Sequence, residues 1–335
     1  MKRRLTLFIT ALALLPPLLA GGAFGLFLLR KSGPAAPVTI HVASGSSFGA
    51  VAHDLQRTGV VSSTVCFKLL ARLRGDAAAI QAGDYRFASR ATPGRILDRL
   101  VTGDVQRHQL TIPEGFSRQE IAQRLRESDF PDAAAFLPLT EDPAFIRSLG
   151  IRAASLEGYL FPETYTYDSR TSVRQLIRAM IDQCQAELPP PLLASAKAQG
   201  LDRHQLLTLA SIIQKEAGNN AEMPLISAVF HNRLQRGIAL QADPTVIYGI
   251  ADFDGNLKRI HLEDASNPYN TYAIRGLPPG PIASAGREAL RAVVEPADTP
   301  YLFFVSKNDG THVFARTNAE HERNVDEYQR RRRRR

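Results

Sequence analysis

Leu5 to Leu29 runs 25 residues without a charge, bracketed by Lys2-Arg3-Arg4 and Arg30-Lys31. Such a stretch is long enough to cross a bilayer as one helix, and longer than the apolar core of a typical cleaved signal. The three leading cations predict a cytoplasmic N-terminus, although Arg30-Lys31 weaken the asymmetry. The expectation is a signal anchor over residues 1–31, with everything later outside the cytoplasm. Cleavage near Leu19-Ala-Gly-Gly-Ala23 is the alternative, and Pro16-Pro17 make the span imperfect. No Cys follows the apolar stretch, so a lipid-modified anchor is excluded.

Residues 32–37, Ser-Gly-Pro-Ala-Ala-Pro, read as a linker, after which the hydrophobic pattern changes period. Ile40, Val42, Gly45, Ser47, Val51, Ala52 and Leu55 recur as Leu110, Ile112, Gly115, Ser117, Ile121, Ala122 and Leu125, each 70 residues later. Both copies give alternating apolar residues, a Gly turn, a Ser able to cap a helix, and a 3.6-residue period: strand, turn, helix. Between the copies the pattern predicts a helix over 64–73, a short strand over 83–87 and a helix over 95–101. Gly45-Ser-Ser47-Phe-Gly49 formally matches the nucleophile elbow of serine hydrolases. The second copy, Gly115-Phe-Ser117-Arg-Gln119, lacks the last Gly, so the Ser is read as a helix cap.

Further on, residues 156–167 predict a turn and a strand, and helices follow over 171–187 and 191–199 around Pro189-Pro-Pro191. The stretch from Leu206 to Glu216 has apolar residues at 206, 209, 212 and 213, a helix stripe, with Gly218 as the expected C-terminal stop. Glu216 falls three residues after Ile213 and four after Ile212, on the same face: a carboxylate aimed inward. In the last turn the helix dipole disfavours an anion, and partial desolvation does too, so both raise its pKa toward that of a general acid. A salt bridge to a distant Arg, or exposure at a frayed end, is the alternative. A helix over 224–235 comes next, then loops rich in Asn, Tyr, Pro and Gly. Their amides, hydroxyls and ring faces suit sugars, and the same residues also serve plain turn chemistry.

Net charge changes this picture little once it is located. Of the formal +8, six positive charges are Arg330 to Arg335 and five more flank the apolar stretch, leaving the remainder at −3. A mildly acidic body argues against a nucleic-acid partner. Two cysteines, Cys66 and Cys184, sit in apolar helical stretches and read as buried free thiols. The eight histidines are scattered without a His-x-x-x-His pair, and neither a phosphate loop nor a dinucleotide fingerprint is present. No metal and no cofactor are expected.

Five ordered motifs then converge: Ala210-Ser-Ile-Ile-Gln-Lys-Glu216, Phe230-His-Asn-Arg-Leu234, Leu240-Gln-Ala-Asp-Pro-Thr-Val-Ile-Tyr-Gly249, Tyr269-Asn-Thr-Tyr272 and Gly276-Leu-Pro-Pro-Gly-Pro-Ile282. Together with Glu157-Gly-Tyr-Leu-Phe-Pro-Glu163 they resemble the MltG (YceG-like) endolytic murein transglycosylases, from the anchor to about Tyr328. Gln214 departs from the pattern, since some members carry an acid there. The small module over 38–101 also resembles the LysM type of carbohydrate-binding domain, a generic packing module being the alternative.

The resemblance implies an α+β fold class. Its parts are a transmembrane helix, a LysM-like α/β module over 38–107, a larger α+β catalytic domain over 108–328 opened by the second repeat, and a disordered Arg tail at 329–335. It implies a bacterial inner-membrane protein, single-pass, with the catalytic domain in the periplasm. The implied reaction cuts the MurNAc-GlcNAc β-1,4 bond inside peptidoglycan glycan strands and leaves 1,6-anhydroMurNAc ends. Glu216 matches the catalytic position, acting as general acid and then base. By polarity and proximity in sequence, Gln241, Asp243, Asn270 and Tyr272 are the expected substrate-binding residues, with Glu157, Glu163 and Asn232 as outer candidates; Asn232 and Arg233, on the helix next to the loop, are also candidates to hold the Glu216 carboxyl or the loop itself. Peptidoglycan synthases are the partners that the resemblance implies. Two other readings stay open: a two-carboxylate muramidase using Asp243 or Glu163 to activate water, and a non-enzymatic wall-binding scaffold.

Overall fold

The computed structural model describes the backbone of residues 2–330 and side chains from Leu14 onward. Two compact units emerge, one running to Gln109 with Thr166–Thr171 added, the other comprising Leu110–Tyr165 and the chain from Ser172. The mixed helix-and-strand architecture is α+β.

The first unit contains α1 (Lys2–Leu29), β1 (Val38–Val42), α2 (Phe48–Arg57), α3 (Thr64–Arg74), β2 (Gly83–Phe87) and α4 (Pro93–Thr102). β1 and β2 pair antiparallel, from Val38 opposite Phe87 to Val42 opposite Gly83. Ile40 and Val42 alternate inward with Tyr85 and Phe87, and the helices close over them with Leu55, Phe67 and Leu97. The last turns of α1 join this core: Phe27 is only 7% exposed, and Phe24 and Leu28 pack beside it. The expected linker is tied to this unit at its first residue. Ser32 exchanges backbone hydrogen bonds with Ala91 (2.9 and 2.8 Å) and its hydroxyl donates to the Val60 carbonyl (2.8 Å). Among the described residues no helix is long and apolar enough to cross a membrane. The side chains of residues 1–13, nearly half of the expected anchor, lie outside the described residues.

The second unit begins within β3 (His108–Thr111) and continues through α5 (Arg118–Glu127), α6 (Phe136–Glu141), α7 (Pro143–Ser148) and into β4 (Thr164–Tyr167). Helices α8 (Val173–Ala186), α9 (Pro190–Ala198), α10 (Arg203–Glu216), α11 (Met223–Gln235), α12 (Asp243–Tyr248), α13 (Arg259–Leu262) and α14 (Arg287–Val294) follow. A hairpin of β5 (Phe303–Ser306) and β6 (His312–Ala315), then α15 (Asn318–Val325), complete it. Within the expected tail, Arg330 is ion-paired to Asp326 at 2.6 Å, while residues 331–335 lie outside the described residues.

The repeated Gly-x-Ser turns do the same job twice. Gly45 and Gly115 take φ of +78° and +79°, the left-handed region that spares a Cβ clash. Ser47 Oγ then accepts the Ala50 N–H, and Ser117 Oγ accepts the Glu120 N–H, with the Glu120 carboxylate accepting the Ser117 N–H in return. The hydroxyl at the formal nucleophile elbow is a helix cap.

The helix that ends at Glu216 differs from the one-sided stripe expected. Every residue from Leu206 to Ile213 is buried, because α9, α11, α12 and α14 pack around α10. Its two polar residues are satisfied locally: Thr208 donates to the His204 carbonyl and Ser211 to the Thr208 carbonyl, while Ser211 Oγ also accepts the Ile282 N–H. The stop also differs. Ala217 turns extended directly after Glu216, and Gly218 has an ordinary φ. Its glycine is required by space instead, since a Cβ there would strike the backbone of Gly310 in the β5–β6 turn. Cys184 is buried and Cys66 only half-buried; both are free.

Because the two serines act as caps, Ser117→Ala should lower stability by about 1 kcal/mol, measured by thermal unfolding. A Ser47→Ala change should have the same sign.

Candidate active site

Glu216 is the last residue of α10, half-buried, and opens into a cleft of about 510 Å³. Among the described residues its carboxyl has no hydrogen bond or ion pair. Burial raises its pKa to about 8, the Asp243 charge adds to the rise, and the Arg233 charge opposes it. A carboxyl that is largely protonated near neutral pH and unpartnered has its proton free for a ligand.

One wall of the cleft is a loop fixed by Arg233, 6% exposed on α11. Its Nη1 donates to the carbonyls of Ala239 (3.1 Å) and Leu240 (2.8 Å) and to Gln241 Oε1 (3.0 Å), and its Nε donates to the Leu302 carbonyl (2.6 Å). One guanidinium thus ties the loop before α12 to the strand β5. Gln241 holds φ of +54°, a conformation that costs a non-glycine residue energy and is kept by its surroundings. Those surroundings are Thr271, whose carbonyl accepts the Gln241 N–H (3.0 Å) and whose hydroxyl accepts the Ala242 N–H (2.9 Å). Asp243 follows at the start of α12, and Tyr272 donates its hydroxyl to Asp243 Oδ1 at 2.7 Å. The cleft is also lined by Phe303, Phe304 and Ser306 of β5, His312 of β6, and His321 and Glu322 of α15. Carboxyl groups beside hydrogen-bonding side chains and ring faces make a site suited to acid chemistry on a hydroxyl-rich ligand.

Residues 40–327 match the sequence profile of the YceG-like family. The chain belongs to the YceG-like family. It is 33% identical over 331 residues to an endolytic murein transglycosylase of Bacillus subtilis, covering 93% of this chain and 91% of that one. An endolytic murein transglycosylase of Streptococcus pneumoniae is 30% identical over 96% of this chain, which spans 64% of that longer protein. The crystal structure of a yceG-like protein from Listeria monocytogenes superposes with a TM-score of 0.60 at 29% identity, covering 86% of this chain and 98% of that one.

On this YceG-like fold, four of the expected residues, Glu216, Gln241, Asp243 and Tyr272, line one cleft. The other four lie elsewhere. Asn270 is fully buried: its amide donates to the carbonyls of His261, Leu262 and Asp264, and its Oδ1 accepts the Tyr272 N–H. It shapes the loop that delivers Tyr272, and has no surface to offer a ligand. Asn232 donates to the carbonyls of Thr299 and Tyr301, on the approach to β5. Glu157, 2% exposed, accepts the Arg118 N–H and the Tyr248 hydroxyl, and burial pushes its pKa up to about 7. Glu163 pairs on the surface with Arg287 at 3.3 Å.

The β5–β6 and α15 wall was not foreseen. Tyr301-Leu-Phe-Phe-Val305 followed by Asn308-Asp-Gly310 is a hairpin signal, but nothing local ties it to a site 90 residues earlier. A larger cavity of about 1140 Å³ between the α9–α10 turn, α11 and residues 276–279 does not contain Glu216. Its histidines are already engaged, His204 with Tyr159 and the Pro279 carbonyl, His231 with the Val293 carbonyl.

Burial pushes the Glu216 pKa up to about 8 in the folded protein, against 4.5 for an unperturbed carboxyl. The fold therefore holds the extra proton between these values, so stability is greatest below the lower one and declines as pH rises through the higher. Glu216→Gln should remove this decline, so the variant's melting temperature should rise relative to the parent's between about pH 5 and pH 8.5. Arg233→Met should cost about 3 kcal/mol or more in unfolding titrations, because it strands several buried carbonyls.

Proposed function

We propose that this protein is an endolytic murein transglycosylase, cutting the MurNAc-GlcNAc β-1,4 bond within peptidoglycan glycan strands. The observation that carries the reading is Glu216: a carboxyl with its pKa raised to about 8, without a partner, in a cleft of a YceG-like fold whose named relatives are such enzymes. In the mechanism, protonated Glu216 donates to the glycosidic oxygen as the C1–O bond breaks and the sugar gains oxocarbenium character. The resulting carboxylate then takes the proton from the C6 hydroxyl, whose oxygen closes on C1 as the 1,6-anhydro ring. Glu216 ends as it began, protonated, and one carboxyl suffices because the nucleophile belongs to the substrate.

Gln241, Asp243 and Tyr272 are proposed to orient the sugars, and the negative charge of Asp243 helps keep the proton on Glu216 until transfer. Asp243 also favours a second reading, a muramidase in which it activates water, since it is the carboxylate whose charge reaches Glu216. We further propose that α1 anchors the protein in the bacterial inner membrane, N-terminus cytoplasmic. The uncharged stretch Leu5–Leu29 and the exposed Leu14, Leu15, Leu18 and Leu19 support this. The strand-helix-helix-strand order of the first unit supports a LysM-like glycan-binding role. An enzyme held at the membrane meets glycan near its site of synthesis, which supports synthases as partners.

Digestion of purified glycan strands followed by mass spectrometry tests the function. Anhydro-ended products, lighter by one water than hydrolysis products, are expected, and hydrolysed ends would replace this reading with the muramidase. Glu216→Gln should abolish cleavage by at least about a hundredfold. Since the protonated acid is the active form, cleavage should fall as pH rises through about 8. Asp243→Asn removes a charge that raises this pKa, so its falling limb should move to lower pH.

A further inference from the structure

His312 lines the cleft from β6, and the carboxylate behind it, Glu222, does not. Glu222 Oε2 accepts from His312 Nδ1 at 2.8 Å, and its Oε1 accepts the backbone N–H of the same residue at 2.9 Å. Two bonds to one carboxylate fix both the strand position and the ring. The Phe304 ring meets the imidazole edge to face, 5.4 Å between centroids, and blocks rotation from the side. A carboxylate only accepts, so the Nδ1 it holds carries the proton, and in the neutral ring Nε2 is left as an acceptor. Among the described residues Nε2 has no hydrogen-bond partner, and it is not one of the sealed-off polar atoms. The neighbouring His321 differs: it stacks on Phe303 with its Nδ1 buried and unpartnered, so no carboxylate sets its tautomer.

We infer that His312, held by Glu222, is a substrate-binding residue whose Nε2 accepts a hydrogen bond from a hydroxyl or acetamido N–H of a glycan bound in the cleft that Glu216 also lines. This rests on the glycan-cleaving function proposed above and adds to it a fixed polar contact in the same cleft as the acid. A carboxylate that holds one ring nitrogen of a histidine fixes the tautomer and aims the other nitrogen at a ligand. The hairpin geometry serves this aim, since His312 pairs with Ser306 directly at the β5–β6 turn, where the two strands are joined.

Three variants of the full chain test it, with glycan-strand cleavage and thermal unfolding measured on each. Asn at 312 reaches Glu222 but not the cleft, whereas Gln places an amide where Nε2 stood. His312→Asn should raise KM roughly tenfold with kcat little changed, the effect of losing one ground-state hydrogen bond. His312→Gln should recover most of that loss. In 15N-histidine spectra of the non-cleaving Glu216→Gln protein, the His312 signals, assigned by their absence in His312→Gln, should show Nε2 unprotonated. Adding intact glycan strands should move that Nε2 resonance. Unchanged kinetics in His312→Asn, equal losses in both variants, a protonated Nε2, or a resonance that ignores glycan would each overturn the inference while parental cleavage left the function standing. No cleavage by the parent would remove both.

Discussion

The structure depends on one constraint: α10 is enclosed on every side from Leu206 to Ile213, and it leaves that enclosure in its last turn, which ends at Glu216. A helix buried around its whole circumference must satisfy its polar residues internally, which Thr208 and Ser211 do against their own backbone. Its terminus is where the enclosure opens. The carboxyl there meets the cleft with little water and no cation bonded to it, and the same shielding that costs folding energy keeps the proton available. An acid held this way is made by the surrounding helices more than by any neighbour in sequence.

Arg233 is the second organising group. Its Nε and Nη1 donate to the carbonyls of Ala239, Leu240 and Leu302 and to Gln241, and among the described residues it makes no ion pair with Glu216, so it shapes the cleft without clamping the acid. A guanidinium bonded to Glu216 would have fixed it as a carboxylate and ended its use as an acid. Its charge is still felt, as the opposing influence on the pKa, but burial prevails. Gly218 adds a steric requirement: the loop leaving α10 touches the backbone of Gly310, so the hairpin that helps line the cleft is seated against the segment bearing the acid.

Much of this was legible in the sequence where the information is local. The 70-residue repeat forecast two capped helices after two strands, and Ser47 and Ser117 cap as read. The inward direction of Glu216 followed from its spacing to Ile212 and Ile213. What failed is what spacing cannot encode. A stripe at 206, 209, 212 and 213 does not say whether Thr208 and Ser211 on the other face meet water or another helix. Asn270 looked like a ligand amide because polar loop residues are usually exposed, yet three carbonyls converge on it. Gly218 looked like a left-handed cap and is a contact point instead. The hairpin wall was invisible for the same reason, since its relation to α10 is made only in three dimensions.

Ser32 and Phe27 carry a mechanical consequence. The first unit's core includes the last turns of α1, and the segment after them is laced to Ala91 and Val60, so no swivel separates helix from module. Tilting α1 would carry strands β1 and β2 along with it as one lever. Whatever surface that module offers is therefore aimed by the helix, and its range of reach is set by how far the helix can lean.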